Sequence, residues 1–102
     1  MKAHNPRIVC EDGFSISVQA REGSYCTPRM DYPAFPHTHV ECGFPSSTPL
    51  TDDLKAYAEA FYGCSDESEC DFTETVYGYV PVEIVKAELQ QHGGIVQGEM
   101  PS

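Results

Sequence analysis

The sequence predicts a small α+β domain, an antiparallel sheet of about four strands with two helices packed on one face. Three observations carry this. Residues 7–20, RIVCEDGFSISVQA, alternate apolar and polar around Asp-Gly, a hairpin signature. Leu54, Tyr57, Ala58 and Phe61 follow i, i+3, i+4, i+7 spacing, and Val82, Val85 and Leu89 make a second helical stripe. With 102 residues and 40% hydrophobic content, the chain suits one domain with a modest core.

In the hairpin, a two-residue loop would pair Glu11 with Phe14 and split the apolar residues between faces. A three-residue loop, Glu11-Asp12-Gly13 with Gly13 left-handed, pairs Cys10 with Phe14 and Ile8 with Ile16. Ile8, Cys10, Phe14, Ile16 and Val18 then share one face, and burial selects this register. Gly23, Pro28, Pro33 and Pro36 make 21–36 an irregular connection. A strand at about 37–44 follows, then FPSSTP breaks the chain. A helix is predicted over 52–62, capped by Thr51, favoured by Asp52 and Asp53 at its positive end and stopped by Gly63. CSDESECDF, residues 64–72, has no periodicity and reads as an exposed acidic loop. TVYGYV predicts a strand at 75–80, and Pro81 starts a helix over 81–92 that Gly93-Gly94 ends. The tail from Gln97 is expected to fray.

Charge is the most informative feature. Sixteen acids against six bases give −10. Residues 51–75 alone hold eight acids and one base, Lys55, for a net −7. Such a segment repels nucleic acid and membrane phosphates and attracts basic surfaces. It also serves as a solvated loop that aids solubility, and charge alone leaves both readings open.

Other motifs are weaker. On a regular strand His37, His39 and Glu41 share one face while Cys42 points away, so an H-x-H-x-x-C metal site cannot form. His37 and His39 with a third ligand remain weak metal candidates. The five cysteines form no CxxC pair. The N-terminus MKAHNPR carries no apolar signal core, and no apolar run approaches the ~20 residues of a membrane span. A cytoplasmic chain with reduced thiols is therefore expected, and a Cys64–Cys70 disulfide is not. DESECD lacks the order and turn glycine of a calcium loop. There is no G-x-S-x-G, H-E-x-x-H or P-loop. A Cys–His pair, Cys26 or Cys42 with His37 or His92, can be drawn, but nothing singles one out. The sequence thus implies no cofactor and a binding protein rather than an enzyme. Alternation puts Tyr77 and Tyr79 on one strand face. That face is either a binding surface or the cover of the sheet beneath a helix.

The segments IVCEDGFSISVQAREGSYCTPR, VECGFPS and TVYGYVPVEIVKAELQQHGGI resemble small accessory proteins of tailed bacteriophages and prophages. The resemblance spans about 7–48 and 75–95 and leaves 49–74 unmatched. It implies a bacterial cytoplasmic setting and a host-directed role, as in anti-CRISPR and anti-restriction inhibitors whose carboxylates occupy a nucleic-acid cleft. It carries over no catalytic residue. On this reading Asp52, Asp53, Glu59, Asp66, Glu67, Glu69 and Asp71 dock on a basic surface of a host defence complex. Tyr57 or Tyr62 adds apolar anchor area. No direct contact with nucleic acid or membrane is expected, and the oligomeric state is open. The alternatives are a metal-binding regulatory module using His37 and His39, or a structural phage protein.

Overall fold

A computed structural model describes residues 5–30, 35–59 and 70–101. Five strands form one antiparallel sheet. They are β1 (Ile8–Cys10), β2 (Ser15–Gln19), β3 (His39–Gly43), β4 (Val76–Pro81) and β5 (Ile95–Gln97), in the order β4-β3-β2-β1-β5. Two helices lie wholly among the described residues, α1 (Asp52–Lys55) and α2 (Val82–Gln91). The α+β architecture is as the sequence predicts, with one strand more. No helix among the described residues is long and apolar enough to cross a membrane.

The hairpin has the register that burial selects. Ile8 faces Ile16, the Cys10 N–H donates to the Phe14 carbonyl at 2.7 Å, and Gly13 takes φ +94°. The five apolar residues of its inner face are all buried. Leu54 of α1 and Val85 and Leu89 of α2 join them, with Val40, Cys42, Tyr77 and Val80.

β4 departs from simple alternation. Val40 pairs with Val80, but Cys42 pairs with Tyr77, so Gly78 and Tyr79 together oppose Glu41. This is a β-bulge, and the extra residue resets which face each side chain meets. Tyr77 therefore enters the core at 0% exposure, while Tyr79 stays 46% exposed with φ +52°. The expected shared face of Tyr77 and Tyr79 does not exist. The Tyr77 hydroxyl donates to the Phe72 carbonyl at 2.5 Å, which satisfies it in the apolar interior.

Other boundaries also move. β3 is shorter than 37–44. His37 precedes it and is buried, and Phe44 leaves it at φ +50° with its ring exposed instead of in the core. The helix predicted over 52–62 closes after Lys55. Tyr57 and Ala58 then turn by i→i+3 hydrogen bonds, and Ala58 bridges Tyr77. Residues 60–62 lie outside the described residues. α2 starts at Val82 with Pro81 as its cap residue, and β4 runs into it without a loop. The C-terminal segment does not fray at Gln97. It pairs with β1, and Met100 packs against the core.

Candidate functional site

The described acidic residues of 51–75 come from two segments that the fold brings together. Thr51 caps α1, its hydroxyl accepting from the Leu54 N–H at 3.2 Å, and this exposes Asp52 and Asp53 in the first turn. Glu59, also exposed, follows the Ala58–Tyr77 bridge. Asp71 and Glu74 are exposed on the approach to β4. The Lys55 ammonium stands 5.9 Å from the Phe72 ring and so ties the two segments. This lysine is the one base of residues 51–75. Its side chain is only 17% exposed and pairs with Asp52 at 3.3 Å, so it does little to neutralise the surface. The hydroxyl and N–H of Thr73 hold the Asp71 carboxyl below the usual carboxylate range. Asp66, Glu67, Glu69 and Tyr62 lie outside the described residues. The loop expected over 64–72 is not wholly exposed, because Phe72 is buried.

Tyr57 is half-buried and lines a groove of about 230 Å³ with Tyr25, Glu59, Gly78 and Tyr79. The bulge builds this groove. It frees the Tyr79 N–H, which donates to the Tyr25 carbonyl at 3.0 Å, and the Tyr25 N–H donates to Glu41 Oε2 at 2.9 Å. The two rings then lie 5.8 Å apart at 35°. A Cβ on Gly78 would stand 3.4 Å from Tyr25 Cβ, so Tyr25 packs directly over this position. Tyr25 carries no periodic or motif signal in the sequence. Its role emerges only once the bulge is known.

A buried polar cluster, only faintly marked in the sequence, lies elsewhere in the fold. Glu88, 1% exposed, accepts from the N–H groups of Leu50 and Thr51 at 2.9 and 3.0 Å and from the Thr51 hydroxyl at 2.9 Å. His92 Nε2 lies 2.7 Å from Glu88 Oε2, and His92 Nδ1 lies 2.7 Å from Asp12 Oδ2. The Phe14 ring stacks on the imidazole at 3.8 Å. Burial pushes the Glu88 carboxyl up, but the N–H groups of Leu50 and Thr51, then His92 and the Thr51 hydroxyl, outweigh it and hold it below the usual range. The Phe14 N–H, then His92, hold Asp12 low as well. The cluster locks the hairpin turn and α1 to the end of α2. Its sequence trace is the i, i+4 spacing of Glu88 and His92 on the stripe of Val85 and Leu89.

The remaining candidates separate. His37 Nε2 lies 3.1 Å from the Met30 carbonyl, whereas His39 Nδ1 lies 2.9 Å from the Thr38 hydroxyl. His37 is outside β3, so the face on which the two histidines would converge is not formed. No group of three or more His, Cys, Asp or Glu side chains among the described residues is placed to hold a metal ion. Both ring nitrogens of His92 face carboxylates, which leaves neither for a thiolate. Burial pushes the Cys42 and Cys10 thiols up, so both stay protonated. Cys70 is disulfide-bonded, contrary to the expectation of reduced thiols. Its bonding partner lies outside the described residues. Comparison of the chain with protein-family models, curated proteins and solved structures finds no match.

Proposed function

We propose that this protein is a non-enzymatic, phage-encoded inhibitor. It binds a basic, nucleic-acid-binding surface of a host defence complex, such as a CRISPR effector, through its acidic face. One observation carries the reading. Asp52, Asp53, Glu59, Asp71 and Glu74 are all exposed on adjoining segments, while the one lysine among them is half-buried and already paired. An anionic face whose one lysine is already paired is complementary to a basic groove that holds phosphates, and it competes for that groove. Asp66, Glu67 and Glu69 extend the same charge through the intervening sequence. The resemblance to phage accessory proteins supplies the setting, an infected bacterium.

The test is charge reversal. Changing Asp66, Glu67 and Glu69 to Lys takes the net charge of residues 51–75 from −7 to −1. Binding to the captured complex is expected to be lost while the circular dichroism spectrum and thermal midpoint stay near those of the parent. A folded triple variant that binds as tightly as the parent overturns the proposal.

A further inference from the structure

We propose that the groove between Tyr25, Tyr57 and Tyr79 is a receptor for a single cationic side chain, an arginine guanidinium from the basic partner. The inference rests on the acidic-face reading for its partner and adds the place where that partner is anchored.

The argument starts from what lines the groove. Three tyrosines, Glu59 and Gly78 line an open groove of about 230 Å³. The face of an aromatic ring is negative and attracts cations. A carboxylate at the rim adds a full charge. A planar guanidinium can stack on a ring and hydrogen-bond to a carboxylate at once, which a compact ammonium does less well. The molecule already uses one of these rings in this way, since the Arg29 guanidinium stands 5.3 Å from the centre of the Tyr25 ring.

The backbone supplies a second, independent observation. Tyr79 sits at φ +52°, a left-handed conformation that is costly for a bulky residue and that glycine would adopt without strain. Its ring is not buried in return, for Tyr79 remains 46% exposed. A strained residue whose ring stays half-exposed beside a second tyrosine points to a position set for binding as well as packing. The ligand chemistry follows from the surroundings. The groove is lined by Glu59, in a segment (51–75) of net charge −7, and Arg29 at Tyr25 offsets only part of that charge, so a cationic occupant is favoured over an anionic one.

The experiment needs no macromolecular partner. N-acetyl-arginine methylamide is titrated into the full chain, and the ring resonances of the tyrosines are followed by NMR. N-acetyl-citrulline methylamide, of the same shape without the charge, is the control. The arginine probe is expected to shift the rings of Tyr25, Tyr57 and Tyr79 saturably and the citrulline probe not to. Tyr79→Gly removes a ring while suiting the bulge and should weaken binding of the arginine probe about two- to fivefold, the range of an exposed cation–π contact. Glu59→Gln should weaken it as well. Equal shifts from both probes, shifts spread over all six tyrosines, or an unchanged response in Tyr79→Gly would overturn the proposal. A positive titration in a chain that captures no basic partner would leave the groove standing and defeat the acidic-face reading. A negative titration with intact capture would do the reverse.

Discussion

Tyr79 and Tyr77 are two residues apart and have opposite fates. Their substitutions separate accordingly. Tyr77→Ala empties a buried site and removes the hydroxyl donor to Phe72, and should cost about 3–5 kcal/mol. Tyr79→Gly trades ring contacts for relief of a left-handed conformation and should leave stability within about 1 kcal/mol of the parent. Urea unfolding of the two variants checks both. A strand with plain alternation would give similar losses at the two positions. Gly98 is the other sensitive residue. At φ +81°, an added Cβ would lie 2.8 Å from the Arg7 carbonyl oxygen, so Gly98→Ala should cost about 1–2 kcal/mol by the same assay. The core of the hairpin was legible in the sequence because alternation and turn type agree there. Tyr79 was not, because a bulge inserts one residue without leaving a mark in the pattern.

Among the elements, the polar cluster holds α1, α2 and the hairpin turn in one arrangement. His92→Ala would remove the ring that hydrogen-bonds both Glu88 and Asp12, and should destabilise by about 1–3 kcal/mol. The pH dependence follows from two depressed carboxyls. Asp12 and Glu88 both titrate below their ordinary values in the folded chain. Folding then favours their ionised forms, so their stabilisation is fully present above the ordinary carboxylate value of about 4 and is lost as the pH falls through the folded values. Thermal midpoints taken at falling pH should drop below about pH 4. In Glu88→Gln, already less stable, the drop should be shallower. Equal acid limbs in the two proteins would contradict the linkage. The short α1 shows why the element pattern of the sequence reached only so far. Leu54 and Ala58 are buried as their spacing predicts, yet the chain closes the helix early because Ala58 bridges Tyr77 on β4. A tertiary contact overrides helical periodicity there. β5 escaped notice for a related reason, since Ile95, Val96 and Gln97 are all exposed and show no alternation.

At the scale of the whole molecule, the described acids of residues 51–75 stand exposed on two adjoining segments, and the tyrosine groove borders them at Glu59. The acidic segment was legible as composition. Which of its carboxylates stand exposed around a half-buried lysine could be read only from the fold. The groove beside it was illegible, because Tyr25 reaches it from an irregular connection. Charge-driven docking has a signature. The screening length shrinks from about 10 Å at 0.1 M salt to about 3 Å at 1 M, so an interface built from exposed carboxylates weakens steeply across that range. The most direct test of the central claim is capture on the immobilised chain from a bacterial lysate containing CRISPR effector complexes. Washes at low and high salt, and with the effector's own target DNA, are read by mass spectrometry. The account predicts a nucleic-acid-binding complex that is held at low salt, released at high salt and displaced by the DNA. Retention that neither salt nor DNA disturbs, or no nucleic-acid-binding protein retained at all, would contradict it.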